Sequence, residues 1–264
     1  MTLQLLLLSC LLAALALLLW ARKRKPAALL ASPPLVPTPL AGGQAKPALL
    51  TQLAADPKKF TVREWRLAVA AYARRGDHEK ALTISQNFER TWPIGFTSRD
   101  RQVQASLLTR LNRLPEAIAL YTKLLDQGIP HAHLYNNRGY LYTLLEEYTL
   151  AIPDFDKAIA FDPGMAFAYN NRGLSRLRRG LASEGLADIE YSLQLDPQNA
   201  YAYRNLGIYY FEQGDYATAL SHFEYAHQLG TEPPELAHYL RKTRQHLGFP
   251  PATDESLPLF FSDN

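Results

Sequence analysis

The chain has 264 residues and a formal charge of +3 at pH 7. Its one cysteine, Cys10, excludes an internal disulfide. Arg22, Lys23, Arg24 and Lys25 are the only charged residues before residue 26, and setting those four aside leaves the body at −1, without the basic bulk a nucleic-acid binder needs.

In chain order, Leu3 to Trp20 is almost wholly apolar. Eighteen helical residues span about 27 Å, close to one hydrocarbon core. Residues 1–21 are therefore expected to be a transmembrane anchor. The basic residues follow the apolar run, whereas a cleaved secretory signal carries them before it. The positive-inside bias then puts the rest of the chain in the cytoplasm. A signal peptide and a buried core helix are the competing readings. Leu7-Leu8-Ser9-Cys10 faintly resembles a lipoprotein box, but no basic lead precedes it. Residues 22–61 read as a basic flank and a Pro/Ala-rich linker. Pro33-Pro34, Pro37 and Pro39 favour extended backbone there, and Gly42-Gly43 a bend.

From Val62 the chain repeats itself. Tyr135, Tyr169 and Tyr203 stand 34 residues apart, as do Asn137, Asn171 and Asn205, and Gly139, Gly173 and Gly207. Asp162-Pro163 returns as Asp196-Pro197. A period of this length in helix formers signals stacked helical hairpins. Five units fit, 62–95, 98–131, 132–165, 166–199 and 200–233, with Phe96-Thr97 interrupting the count. Small residues (Gly139, Ala151) let two axes approach, and large ones (Tyr135, Tyr142, Phe155) fill the space around them. Gly76, Gly180 and Gly214 fall where the first helix must end, and Glu146 marks the turn of the third unit. In the fourth unit Arg176 and Gly185 replace the bulk and the methyl group expected there, which predicts the loosest hairpin. Ile129 replaces the closing proline of the second unit. An amphipathic stretch, 235–247, reads as the cap that covers the last unit's bare face. Residues 248–264 read as a flexible tail, with Leu259-Phe260-Phe261 as an alternative docking segment.

Trp65, Ala68, Tyr72, Gly76, Ala81, Phe88 and Pro93 carry a resemblance to the tetratricopeptide repeat (TPR) family, and the match recurs through Pro233. The resemblance implies an all-α fold, a right-handed superhelical solenoid of five TPR hairpins plus a C-terminal capping helix, with the transmembrane helix separate. It further implies that the first helices line a concave surface that binds a protein or peptide. Asparagines at the place of Asn137, Asn171 and Asn205 form a peptide-holding ladder in the repeat arms of similar sugar-transferring enzymes. A side-chain amide pairs with any peptide backbone. The candidate groove is therefore Asn136, Asn137, Tyr140, Asn170, Asn171, Leu174, Tyr201, Arg204, Asn205, Ile208 and Phe211. The competing role for the asparagines is bonding between neighbouring helices.

Arg138 and Arg172 occur with Asp154 and Asp188, sixteen residues later in each case. In the fifth unit both charges vanish, leaving Leu206 and His222. Charges that come and go together predict ion pairs within a hairpin. The basic places of a chaperone-tail carboxylate clamp hold Arg66, His133 and Asn137 counting from the first unit, Gln102, Phe167 and Asn171 from the second, and Asn136, Tyr201 and Asn205 from the third, so that docking mode is disfavoured. No catalytic constellation can be assembled. There is no glycine-rich phosphate loop, and His131/His133 and His222/His227 have poor spacing for a shared metal. No enzyme activity, cofactor, metal or small-molecule substrate is expected. The reading is a membrane-tethered scaffold or adaptor, single-pass and facing the cytoplasm. A receptor or holding chaperone for unfolded or exported clients is the alternative, as is an exported envelope-assembly protein.

Overall fold

The computed structural model describes residues 57–249 apart from 129, 130, 232 and 234. The predicted anchor, most of the linker and the tail from residue 250 onward lie outside the described residues. Among the described helices none is long and apolar enough to cross a membrane.

After a short 3-10 turn at Pro57–Lys59, eleven α-helices follow among the described residues. They are α1 (Val62–Arg74), α2 (His78–Thr91), α3 (Ser98–Arg110), α4 (Leu114–Asp126), α5 (Ala132–Leu144), α6 (Tyr148–Phe161), α7 (Ala166–Arg178), α8 (Ala182–Leu195), α9 (Ala200–Glu212), α10 (Tyr216–Gln228) and α11 (Leu236–His246). Each odd-numbered helix from α1 to α9 starts at the first residue of a sequence repeat. Helix starts are fixed by local chemistry. Thr61 and Glu64 form a reciprocal capping box on α1, and Thr97 and Asp100 another on α3. Asp77, Asn199 and Asp215 cap α2, α9 and α10 through their side chains.

The first helix of every unit ends in the same left-handed turn. The residue fifteenth in each frame has positive φ: Gly76 (79°), Asn112 (56°), Glu146 (60°), Gly180 (77°) and Gly214 (80°). Gly248 follows Gly214 by 34 residues and has φ 79°. The period thus runs on into α11, which is built like the first helix of a sixth unit.

Paired helices close around buried rings. Trp65 stacks on Phe88 at 5.9 Å, and Phe96 meets Phe88 edge-on at 5.0 Å. Phe96 belongs to the dipeptide that breaks the repeat count, so the insertion feeds the core. Tyr121, Phe155 and Phe223 share another place, the twenty-fourth of their units, where the first unit has Ser85, and all three are fully buried. Within each unit the two helices pack together, and each second helix packs on the next first helix. Successive first helices α5, α7, α9 and α11 also touch, whereas successive second helices do not approach as closely. The first helices therefore form one continuous layer along this part of the solenoid.

The fourth unit corrects an expectation. Instead of a loose hairpin, α7 and α8 meet backbone to backbone. A methyl group on Gly173 would stand 2.7 Å from the Gly185 carbonyl oxygen and 2.7 Å from Ile189 Cγ1. One on Gly185 would stand 2.8 Å from the Gly173 carbonyl oxygen. The missing methyl at Gly185 is what permits this approach. Arg176, in place of an aromatic, hydrogen-bonds Asp188 at 2.7 Å, so charge stands in for bulk.

Helix α11 buries Leu236, Leu240 and Thr243 against the fifth unit. It shields apolar side chains that would otherwise face water, as a solenoid end requires.

Candidate functional site

The ion pairs inside hairpins are both present. Arg138 Nε donates to Asp154 Oδ2 at 2.7 Å and its Nη2 to Oδ1 at 2.8 Å. Arg172 makes the same fork with Asp188, at 2.8 and 2.7 Å. Two parallel N–H donors on one carboxylate are the strong geometry for this pair. Each arginine also reaches back to the preceding unit, Arg138 to Thr122 Oγ1 and Arg172 to Asp156. The hydrogen bonds that Arg138 donates to Asp154 hold its guanidinium above its ordinary pKa, against the opposing effect of burial. In the fifth unit Leu206 is buried, and His222 stacks on Tyr210 at 5.4 Å. Burial pushes the His222 pKa down, which keeps that ring neutral between aromatic neighbours.

The asparagines bond to one another between helices. Asn171 Nδ2 donates to Asn136 Oδ1 at 3.2 Å, and Asn205 Nδ2 donates to Asn170 Oδ1 at 2.8 Å. Asn137 Nδ2 donates to the Tyr121 hydroxyl at 3.3 Å. All five asparagines are buried. Of the two roles open in the sequence, these are the bonds of the second. The first asparagine of one unit accepts from the second asparagine of the next, which ties α5 to α7 and α7 to α9.

The remaining groove candidates divide. Tyr140, Leu174, Tyr201 and Arg204 are half-buried on the first-helix layer. Ile208 is only 3% exposed and sits in the core with Leu236 and Leu240. Phe211 lies edge-on to Tyr216, Tyr239 and His246, at 5.3, 5.5 and 5.6 Å. Ile208 and Phe211 are therefore corrected from groove lining to contacts covered or flanked by α11. The sequence offered a signal for this. Tyr239 follows Asn205 by 34 residues, so the first-helix layer continues past the last full unit.

Tyr140 on α5 and the pair Tyr201 and Arg204 on α9 come close enough to act on one another electrostatically across the intervening unit. Burial raises the Tyr140 pKa, the Arg204 charge opposes that rise, and Tyr201 adds to it. The Arg204 Cζ stands 6.0 Å from the Tyr201 ring centroid. Among the described residues, no group of three or more His, Cys, Asp or Glu side chains could hold a metal ion.

Residues 132–165 match a tetratricopeptide repeat model, and residues 189–221 match a second one whose frame begins within α8. Those two segments are similar to tetratricopeptide repeats. No curated protein matches it in sequence. Solved structures resemble the TPR body at low identity. MamA (41-end) from Desulfovibrio magneticus RS-1 is 22% identical with a TM-score of 0.54, covering 64% of this chain and 94% of its own. A tetratricopeptide repeat protein from Parabacteroides merdae is 20% identical, TM-score 0.55, covering 71% of this chain and 73% of that one. PilW, titled a widely conserved type IV pilus biogenesis factor, is 20% identical, TM-score 0.57, covering 77% of this chain and 88% of its own. These likenesses establish an all-helical TPR-type solenoid.

Proposed function

We propose that this chain is a membrane-tethered adaptor whose TPR solenoid holds an extended peptide, or a helix, of a partner protein along the face lined by α5, α7 and α9. The observation that carries this reading is the partly exposed set Tyr140, Leu174, Tyr201 and Arg204 on three successive first helices. The asparagine bonds lock those helices in register, so the set is held ready. Micromolar binding needs about 8 kcal/mol. A few hydrogen bonds at about 1 kcal/mol each do not supply it, whereas aromatic and arginine anchors in a partly desolvated face do. The tether rests on Leu3 to Trp20 and on the four basic residues that follow. A lipid anchor raises the effective concentration of the solenoid near other membrane components.

The test is site-specific photocrosslinking in native membranes. Probes at Tyr140 and Leu174 should trap one or two proteins, whereas probes at Tyr191 and Tyr225, exposed on second helices, should trap none in common with them. Equal trapping from both faces would reject the groove. Trapping of many unrelated extended chains would favour a client-holding role. Release of the chain from membranes by alkaline carbonate would reject the tether.

A further inference from the structure

The left-handed turns at Gly76, Asn112, Glu146, Gly180, Gly214 and Gly248 mark the hairpin tips, one edge of the stack. Contacts join these tips in order. Ala73, Leu108 and Leu141 share one core cluster across the first three units. Thr143 Oγ1 lies 3.0 Å from Ser175 Oγ, which ties the third tip to the fourth, and Arg178 pairs with Glu212, which ties the fourth to the fifth. His246 stacks on Tyr216 at 4.2 Å and brings in the end of α11.

This edge is apolar where water reaches it. Leu144, Leu145, Leu150, Leu181, Leu247 and Phe249 are between 38% and 50% exposed, each within four residues of a tip turn. The other large apolar side chains exposed among the described residues lie on second helices and at unit junctions. There Asp162, Asp196 and Glu190 stand directly beside Phe161, Leu195 and Tyr191.

The tips also carry free cations. Arg74, Arg75, Arg110 and Arg179 are exposed and make no ion pair among the described residues. Glu79, Glu146, Glu147 and Asp215 oppose them, but only Glu79 belongs to the first two units. Residues 57–128 hold thirteen Lys and Arg against seven Asp and Glu, whereas residues 132–249 hold ten against fourteen. The edge is therefore cationic over the first two units and apolar beyond them.

A bilayer interface accepts this order of groups, guanidinium at the phosphates and aliphatic side chains just beneath the headgroups. A nucleic acid would engage the arginines and leave the leucines bare. We propose that the hairpin-tip edge docks on an anionic lipid surface, with Arg74, Arg75 and Arg110 at the phosphates and Leu144, Leu145 and Leu150 inserted below them. This face is separate from the groove, and its docking does not depend on the tether.

The experiment places a fluorescent amino acid at Leu145, or at Tyr191 as the control, in the full chain reconstituted into nanodiscs that carry a headgroup-attached quencher. With about one-third phosphatidylserine, quenching at Leu145 should be at least twofold greater than at Tyr191, and at least twofold greater than in phosphatidylcholine alone. Half-molar salt should remove most of the difference between the two lipids. The combined variant Arg74→Ser, Arg75→Ser and Arg110→Ser should halve the quenching, and so should Leu144→Ser with Leu150→Ser. Both should melt as the wild type does, because these side chains are exposed. Glu147→Gln should increase the quenching. Equal quenching at the two sites or in the two lipids overturns the proposal, as does an arginine variant quenched like the wild type. A Leu145 signal that responds to added transfer RNA but to neither lipid overturns it in favour of a nucleic acid. If a variant does not fold, the lipid comparison and the salt series on the wild type decide alone. If the chain leaves the discs, the tether reading falls, and pelleting with vesicles of the two compositions decides the edge: sedimentation with the anionic vesicles alone upholds it, and any other pattern rejects it.

Discussion

Arg138 and Asp154 show how one hairpin stabilises itself with a charge pair that its neighbour omits. Asp154 is 4% exposed and its carboxylate accepts both bonds of the fork. Arg138→Leu would leave that carboxylate buried without a cation, a loss of about 3–5 kcal/mol. Adding Asp154→His should recover more than half of it. The double variant reproduces the fifth unit, where Leu206 and His222 hold these places, and the third unit already carries the matching rings, Tyr135 and Tyr142. Urea unfolding of the single and double variants checks this. A double variant no more stable than Arg138→Leu would show that the ring stack does not transfer. The pairing was legible because the two charges appear and disappear together across repeats. The asparagine bonds were not. Both partners are the same residue type in neighbouring units, so no change in one betrays the other. Peptide-facing and helix-facing amides look identical in a sequence. Nor does a sequence say that Arg204, at the place of Asn136 and Asn170, buries its Nε without a hydrogen-bond partner among the described residues.

At the scale of the helix and its turn, the period located the first-helix starts of the five units, because small and large core residues recur with it, although the caps before them do not. The turns were half legible. Gly76, Gly180 and Gly214 announce positive φ, while Asn112 and Glu146 adopt it without the glycine signal. Asparagine tolerates that region, but glutamate has no local hydrogen bond to recommend it and is held there by the hairpin on either side. Glu146→Gly should therefore stabilise the chain by about 1 kcal/mol, which raises the melting temperature by about 2–4 °C for a body of this size. Differential scanning calorimetry reads it directly. An unchanged or lower melting temperature would mean that the Glu146 side chain contributes contacts worth as much as the strain it bears. The fourth unit was misread for the opposite reason. A glycine where a methyl is expected looks like lost packing, and only the 2.7 Å that a methyl on Gly173 would leave to the opposite carbonyl shows that the space has been closed.

At the scale of the whole stack, each unit touches its neighbours and little else, so stability should be local and additive. Helix α11 is the clearest place to test that. It places Leu236 and Leu240 against Ile208 and Phe223, and Tyr239 stacks 5.6 Å from Phe223. Ending the chain at Leu229 removes those two leucines, whose burial is worth about 3–6 kcal/mol together. It also bares Ile208, and takes away the Arg244–Glu224 ion pair at 2.7 Å. Hydrogen exchange should then show α9 and α10 losing protection, while α1 to α4 exchange as before, because no contact of theirs has been touched. The bared rings should bind a hydrophobic dye. Loss of protection spread evenly from α1 to α10 would mean that the stack unfolds as one cooperative body, with coupling reaching well beyond nearest neighbours. Unchanged protection in α9 would mean that the fifth unit does not need α11.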